Sequence, residues 1–211
     1  MKLLKQILIV GGGGHARVLI DLIRSTGEYE ISGILEQQLE EGTLVSDIPV
    51  QGTDDLLPEL YKNGVRNACI GIGSTADNSR RMKLYELVKH IGFSVPPLIH
   101  PRAIISKQVK VADGAQIMAG AIVQTDSLID ENTIINTGAI VEHDCRIGKH
   151  AHICPGVIVS GGATIEDNVF VGVGATIIQG IKIGSNAIVA AGAVVISDVP
   201  NNSKVMGVPA R

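Results

Sequence analysis

Isoleucine or valine occupies every sixth position from Ile99 to Val195, 17 positions without an insertion. Neither the strand period of 2 nor the helical period of 3.6 generates that spacing. A hexapeptide-repeat solenoid does, each hexad supplying one short strand and one corner. The remaining hexad positions agree. Two residues before each aliphatic the side chain is usually small (Ala115, Ala121, Ala139, Ala163, Ala175), as close stacking of coils requires. Three residues after it comes a turn former, such as Gly114, Asp126, Asn132, Asp144, Gly162, Asn186 or Asp198, able to take the positive φ of a sharp corner. His150 stands in the same place. Three hexads make a triangular coil, and coils stack at about 4.8 Å, giving a prism on the order of 25 Å long. Each inward aliphatic contributes roughly 1.5–3 kcal/mol by burial.

A different pattern precedes the prism. Ile7-Leu8-Ile9-Val10 reads as a strand, Gly11 to Gly14 as a loop, and Val18, Leu19, Leu22 and Ile23 as the apolar stripe of a helix ended by Gly27. A second strand is expected near Tyr29–Leu35, ending at Glu36, and a short one near Ile48–Gln51, leading to a helix from about Thr53. Strand Ala68–Ile72, the loop Gly73-Ser74 and a helix with stripe Leu84, Leu87, Val88 and Ile91 complete a third βα unit, which Gly92 stops. Pro96-Pro97 marks the passage into the solenoid. The expected organisation is an α/β domain over residues 1–97, an all-β parallel β-helix over 98–200 and a tail over 201–211.

Composition narrows the function classes. A formal charge of −3 and a pI near 6.1 give no basic footprint for nucleic acid, and 2% aromatic residues are too few for a base-stacking surface. Cys69, Cys145 and Cys154 are odd in number and lack paired spacing, which reads as reduced thiols in a cytoplasmic protein. The opening run Met1 to Val10 is too short for a signal peptide, and no segment is expected to span a membrane.

Two regions carry candidate chemistry. Gly11, Gly13 and Ala16 form G-x-G-x-x-A between a strand and a helix, with Glu36 about 20 residues on, the arrangement that seats a phosphate at a helix N-terminus and a ribose on a carboxylate. The same glycines would also suit a tight turn alone. Fewer than 100 residues before the prism leave no room for a second dinucleotide half. His15 would face the loop's ligand or solvent, and Gly71, Gly73 and Ser74 form a possible second rim.

The other region is Asn136 to Gly156. His143 falls two residues after an inward aliphatic, so it sits near a corner and faces out, and Asp144 beside it can orient the imidazole as in a general base. His152 lies half a coil away, on another side of the prism, so the two histidines would meet only across a subunit interface. His143, Cys145, His150, His152 and Cys154 also resemble a ligand set, and hexapeptide-repeat carbonic anhydrases bind zinc between subunits. Their spacing of histidines is absent here, and Cys145 occupies the small inward position.

Together the opening Gly-Gly-Gly-Gly-His-Ala, the link Leu98-Ile99-His100-Pro101, the stretch Val141-Glu142-His143-Asp144-Cys145 and the closing Gly207-Val208-Pro209-Ala210 resemble the bacterial sugar acetyltransferases with hexapeptide repeats. These include sialic acid O-acetyltransferase-like and nucleotide-activated amino-sugar N-acetyltransferase enzymes. The resemblance implies a Rossmann-like first domain and a left-handed β-helix. It implies direct transfer from acetyl-CoA to a nucleotide-activated 4-amino-4,6-dideoxy sugar, with no metal. His143 matches the catalytic base, Asp144 its acidic partner, His152 the histidine by the acetyl group, and Gly161 a backbone N–H near the thioester oxygen. Asn136 matches a residue lining the sugar site, and Gly11, Gly12, Gly13, Gly14, His15 and Glu36 would meet the nucleotide sugar. Acetyl-CoA would lie between two prisms of a homotrimer. A sialic acid-type O-acetyltransferase, a zinc hydratase and a non-catalytic nucleotide-sugar-binding scaffold are the alternative readings.

Overall fold

The computed structural model describes residues 4–74 and 77–211; Met1–Leu3, part of the opening run, lie outside them. The chain divides into two compact units, with the boundary at Pro101 and Arg102, a few residues beyond Pro96-Pro97.

The first unit runs β1 (Lys5–Val10), α1 (Gly14–Thr26), β2 (Tyr29–Leu35), β3 (Leu44–Val45), β4 (Ile48–Gly52), α2 (Leu57–Lys62), β5 (Asn67–Ile70) and α3 (Ser79–Ile91). Its sheet has the order β3-β4-β2-β1-β5, parallel except for the β3–β4 hairpin. Because β2 and β5 flank β1 on opposite sides, strand order reverses at β1. A crevice therefore opens beyond its carboxyl end, where the glycine loop begins.

Helix α1 buries Ala16, Leu19, Ile20, Leu22 and Ile23; of the expected stripe, Leu19, Leu22 and Ile23 are inside, and Val18 is 46% exposed. Gly27, at φ 64, ends the helix by donating its N–H to the Arg24 carbonyl. In α3 the buried face is Arg81, Leu84, Tyr85 and Val88, one turn earlier than the expected stripe, and Leu87 is 39% exposed. Arg81 accounts for the shift. Its guanidinium donates to the carbonyls of Ile70 (2.9 Å) and Ile72 (2.8 Å), so a charged residue holds the end of β5 from inside the domain. Burial pulls its pKa down to about 9.

The second unit is a three-sided parallel β-helix of two-residue strands. Up to the last corner, paired strands lie 18 residues apart, as Ile122 with Ile140, Arg146 with Thr164 and Ile134 with His152. The first face runs from Ile104–Ile105 to Val194–Val195, the second from Lys110–Val111 to Lys182–Ile183, and the third from Gln116–Ile117 to Lys204–Val205. From Ile117 onward the inward aliphatics are buried, forming one column. The corners take positive φ at Asp126, Asn132, Asp144, His150, Asn168 and Asn186, as the hexad pattern requires.

The last corner departs from that pattern. Asp198 does not take positive φ; its carboxylate accepts from the Lys182 amide at 2.9 Å, and Asn202 adopts the left-handed conformation instead, at φ 58. Pro200 restricts Val199 and displaces the turn. The segment expected as a tail then adds a strand, Lys204–Val205, against Ile188–Val189.

Candidate active site

Within the first unit, the four loop glycines separate into two pairs. Gly11 has φ 107, and a Cβ on it would collide with the Ile72 side chain. A Cβ on Gly12 would lie 3.1 Å from that of Glu36. The fold itself therefore explains these two. Gly13 and Gly14 have no atom within 4 Å of a built Cβ and no positive φ. Nothing in the unit requires them to be glycine. They border a cleft of about 300 Å3 with Arg17, Glu36, Leu39 and Leu44. Gly13 is also the N-cap of α1 and makes no side-chain capping bond, while the first turn holds no acidic residue. The helix end is thus open to an anion.

Glu36 was expected to reach a ribose; the structure gives its carboxylate other partners. One oxygen accepts from the Gly12 amide at 2.7 Å, the other from the Gln38 amide at 3.1 Å, and Arg80 stands 3.6 Å away. The residue is 7% exposed. Burial alone would push its pKa up, yet the Gly12 and Gln38 hydrogen bonds and the Arg80 charge outweigh it and hold the group below the ordinary carboxylate value. His15 sits in the first turn of α1 with Gly73 alongside, so the second rim does adjoin the first. Gly71 packs against the Gly11 backbone, which accounts for its lack of a side chain.

Sequence reasoning missed Arg17 and Arg80. Arg17 follows Gly14 by one helical step on the cleft side, a position that a helix wheel could have flagged. Arg80 gave no local signal.

In the prism, Val141 ends a first-face strand and the chain turns through Glu142, His143 and Asp144 into the second face. The positive φ of Asp144 (59°) brings its carboxylate back to the imidazole, and His143 Nδ1 lies 2.8 Å from Asp144 Oδ2. A carboxylate accepts, so Nδ1 carries the proton and Nε2 is the free lone pair. The Asp144 hydrogen bond, opposed by slight desolvation and helped by the charges of Asp144 and Glu142, raises the His143 pKa above its ordinary 6.5. Directly above, in the next coil, lies Gly161: a Cβ there would be 2.6 Å from His143 Nε2.

His152 begins a third-face strand, on a different face from the His143 corner, as the half-coil spacing requires. It is 6% exposed, packed edge-on to Phe170 at 5.5 Å between ring centres. Its Nε2 lies 3.0 Å from Asn136 Nδ2. Asn136 Oδ1 accepts from the Thr137 amide at 2.8 Å, which fixes the direction of the amide group. Asn136 Nδ2 must then donate, so His152 Nε2 accepts and the ring proton resides on Nδ1.

The five residues weighed as metal ligands do not converge. His143 turns to Asp144 and His150 to Asn132, His152 pairs with Asn136, and both cysteines are buried. Among the described residues no group of three or more His, Cys, Asp or Glu could hold a metal ion. Burial pushes the Cys154 thiol up to about 12 and raises that of Cys145, which suits neither to nucleophilic attack. No described helix is long and apolar enough to cross a membrane.

Comparison with known proteins agrees with this division. Residues 6–88 match the PglD N-terminal domain, and residues 162–197 match the hexapeptide repeat of succinyl-transferase. UDP-N-acetylbacillosamine N-acetyltransferase of Bacillus subtilis (strain 168) is 35% identical over 122 residues, a match spanning 55% of this chain and 52% of that protein. A histidine-to-alanine variant of GDP-perosamine N-acetyl transferase from Caulobacter crescentus, solved with CoA and GDP-perosamine, superposes with a TM-score of 0.93 at 38% identity. That superposition covers 99% of this chain and 97% of the other. The acetyltransferase domain of PglB from Neisseria gonorrhoeae FA1090, solved with acetyl coenzyme A, gives 0.89 at 32%, covering 99% of each. With a Rossmann-like domain followed by a left-handed β-helix, and with near-complete coverage at this level of identity, the chain belongs to the bacterial sugar acetyltransferases with hexapeptide repeats.

Proposed function

We propose that the protein transfers the acetyl group of acetyl-CoA directly to the amine of a nucleotide-activated 4-amino-4,6-dideoxy sugar. The observation that carries the chemical step is the His143 corner, where Asp144 fixes the tautomer and Nε2 points along Gly161. The amine attacks the thioester carbonyl and the electron pair moves to oxygen, which the Gly161 N–H stabilises. His143 Nε2 takes the amine proton. Collapse expels the CoA thiolate, which recovers that proton from the imidazolium. General-base assistance of this kind is worth about 10²–10⁴ in rate, and one aimed N–H about 10² or more. His152, as a neutral ring, contacts the acetyl group, and Asn136 holds that ring from the sugar side.

The first domain would hold the nucleotide. Bare Gly13 and Gly14 leave room for phosphates at the α1 N-terminus, Arg17 and His15 supply polar contacts, and Leu39 and Leu44 offer apolar surface to a base. Glu36 would act on the substrate through the Gly11–Gly12 loop that it fastens.

The assembly that completes the site is a homotrimer. Outward positions of the first face read Ile104, Ile122, Ile140, Ile158, Thr176 and Val194, an apolar stripe that adjoins the His143 corner; Ile104 is 64% exposed. A stripe of this kind favours burial against a second prism, which would bring a neighbour's His152 face toward His143. Use of acetyl-CoA and three free, buried thiols favour a cytoplasmic location.

The test is release of CoA thiol from acetyl-CoA with UDP-, dTDP- and GDP-linked 4-amino-4,6-dideoxy sugars and free sialic acid as parallel acceptors. Turnover with a nucleotide amino sugar, lost in His143→Ala, is the expected result. Turnover with sialic acid alone would move the assignment to O-acetylation, and silence with every acceptor would overturn it.

A further inference from the structure

At the corner between the first and second faces, the second residue after each inward aliphatic forms a column: Lys107, Thr125, His143, Gly161, Gln179 and Ser197. Gly161 alone lacks a side chain there. Its backbone does not demand this, since the left-handed residue of that corner is the next one, Gly162, at φ 70. The other five members demonstrate that the position accepts side chains of several sizes. What excludes one at residue 161 is the ring below. A built Cβ would lie 2.6 Å from both Cε1 and Nε2 of His143 and 3.2 Å from Cδ2. Gly148, Gly172 and Gly184 would also clash with a Cβ, but there the backbone of the next coil stands close by. Among the described residues of the prism, Gly161 is the glycine whose nearest obstacles all belong to one imidazole.

We propose that Gly161 is a positioning residue for His143: its bare Cα is the berth in which the ring, anchored by Asp144, lies with Nε2 beside the Gly161 backbone. This rests on the reading of His143 as the base. The ring cannot yield to an added methyl while keeping its 2.8 Å bond to Asp144, because one of the two closest atoms, Cε1, is bonded directly to Nδ1 in a rigid five-membered ring, so moving it carries Nδ1 away from the carboxylate. It has somewhere to go, since the His143 side chain is 59% exposed. Gly161→Ala therefore keeps the fold and turns the imidazole outward, away from the reacting atoms.

Two rival roles for this glycine make different predictions. If only its N–H matters, alanine retains that N–H and is tolerated. If the bare surface serves CoA, alanine weakens CoA binding whatever stands at position 143.

The experiment compares wild type, His143→Ala, Gly161→Ala and the double variant in the full chain. Readouts are CoA affinity by calorimetry, kcat and KM, and histidine side-chain NMR of 15N-labelled protein. The expected result is a fall in kcat of about 10²-fold or more for Gly161→Ala, CoA affinity unchanged, no further loss when Gly161→Ala is added to His143→Ala, and disappearance of the His143 Nδ1–H signal. Unchanged kcat with an intact Nδ1–H signal, weakened CoA binding in both backgrounds, or failure to fold in both backgrounds would each overturn the proposal. Should His143→Ala itself stay active, the base assignment falls, whereas the NMR signal still reports whether Gly161 sets the ring's position.

Discussion

The Glu36 carboxylate holds the Gly12 amide at 2.7 Å, so the charge of a buried side chain and the conformation of the glycine loop are thermodynamically linked. The folded-state pKa of Glu36 is lowered, hence its stabilisation is fully present above the ordinary carboxylate value and is lost as pH falls through the lower folded value. Thermal unfolding of the first domain from pH 7 toward pH 3 should lose stability over that acid window, less steeply in Glu36→Gln. Glu36→Ala, which strips a buried N–H of its acceptor, should cost about 1–3 kcal/mol at neutral pH. Identical acid sensitivity in wild type and Glu36→Gln would assign the linkage to other carboxylates.

The raised pKa of His143 places the acid limb of the rate profile. A base must be unprotonated, so kcat/KM should rise with pH through a midpoint above 6.5. Asp144→Asn removes the largest cause of the shift, and the midpoint should move down while the maximal rate falls, because the ring loses its fixed tautomer. A midpoint unmoved by Asp144→Asn would separate the limb from this pair.

For His152, the fixed amide of Asn136 predicts 15N shifts of a neutral ring with its proton on Nδ1 at neutral pH. Asn136→Asp replaces the donor by an acceptor and should move the proton to Nε2 or charge the ring. Unchanged shifts in that variant would show that the tautomer is set elsewhere.

Gly172 offers a stability control for these active-site variants. Its built Cβ would lie 2.6 Å from the Ala191 amide nitrogen, in backbone that cannot turn aside. Gly172→Ala should therefore cost about 1–3 kcal/mol in denaturant unfolding without a specific effect on His143. An alanine variant as stable as wild type would mean that adjacent coils slide apart easily.

The stripe on the first face predicts assembly. If the proposed trimer forms through this stripe, Ile158→Asp should give smaller species than wild type by light scattering and abolish turnover, with the circular dichroism of the prism retained. A trimer that survives both this change and Ile140→Asp would place the interface on another face.

Much of this was legible in the chain. The prism could be read because a hexad repeat is enforced at every turn by the same two constraints, an aliphatic inside and a corner at positive φ. The placement of His143 beside Asp144 at an outward corner was legible for the same reason, since the register fixes where each residue points. The misses arose where tertiary contacts outweigh local pattern. In α1 and α3 most of the expected stripe is buried, but Val18 and Leu87 face outward, and only the packing of Ile20 and the burial of Arg81 on two carbonyls decide this. Glu36 was recognised as important, but its bond to Gly12 crosses 24 residues and leaves no local trace. At Asp198, Pro200 ended a pattern that composition alone seemed to continue.

Because spatial neighbours in the prism are always one coil apart along the chain, the fold and the site respond differently to changes of length. Gain or loss of a single residue inside a coil throws every later aliphatic out of the column. Duplication of a whole coil is invisible to the column, yet inserted between His143 and Gly161 it would give the imidazole a new upper neighbour. Coil number is therefore free to drift toward the ends of such a prism, while under the proposed mechanism the interval from His143 to Gly161 is fixed.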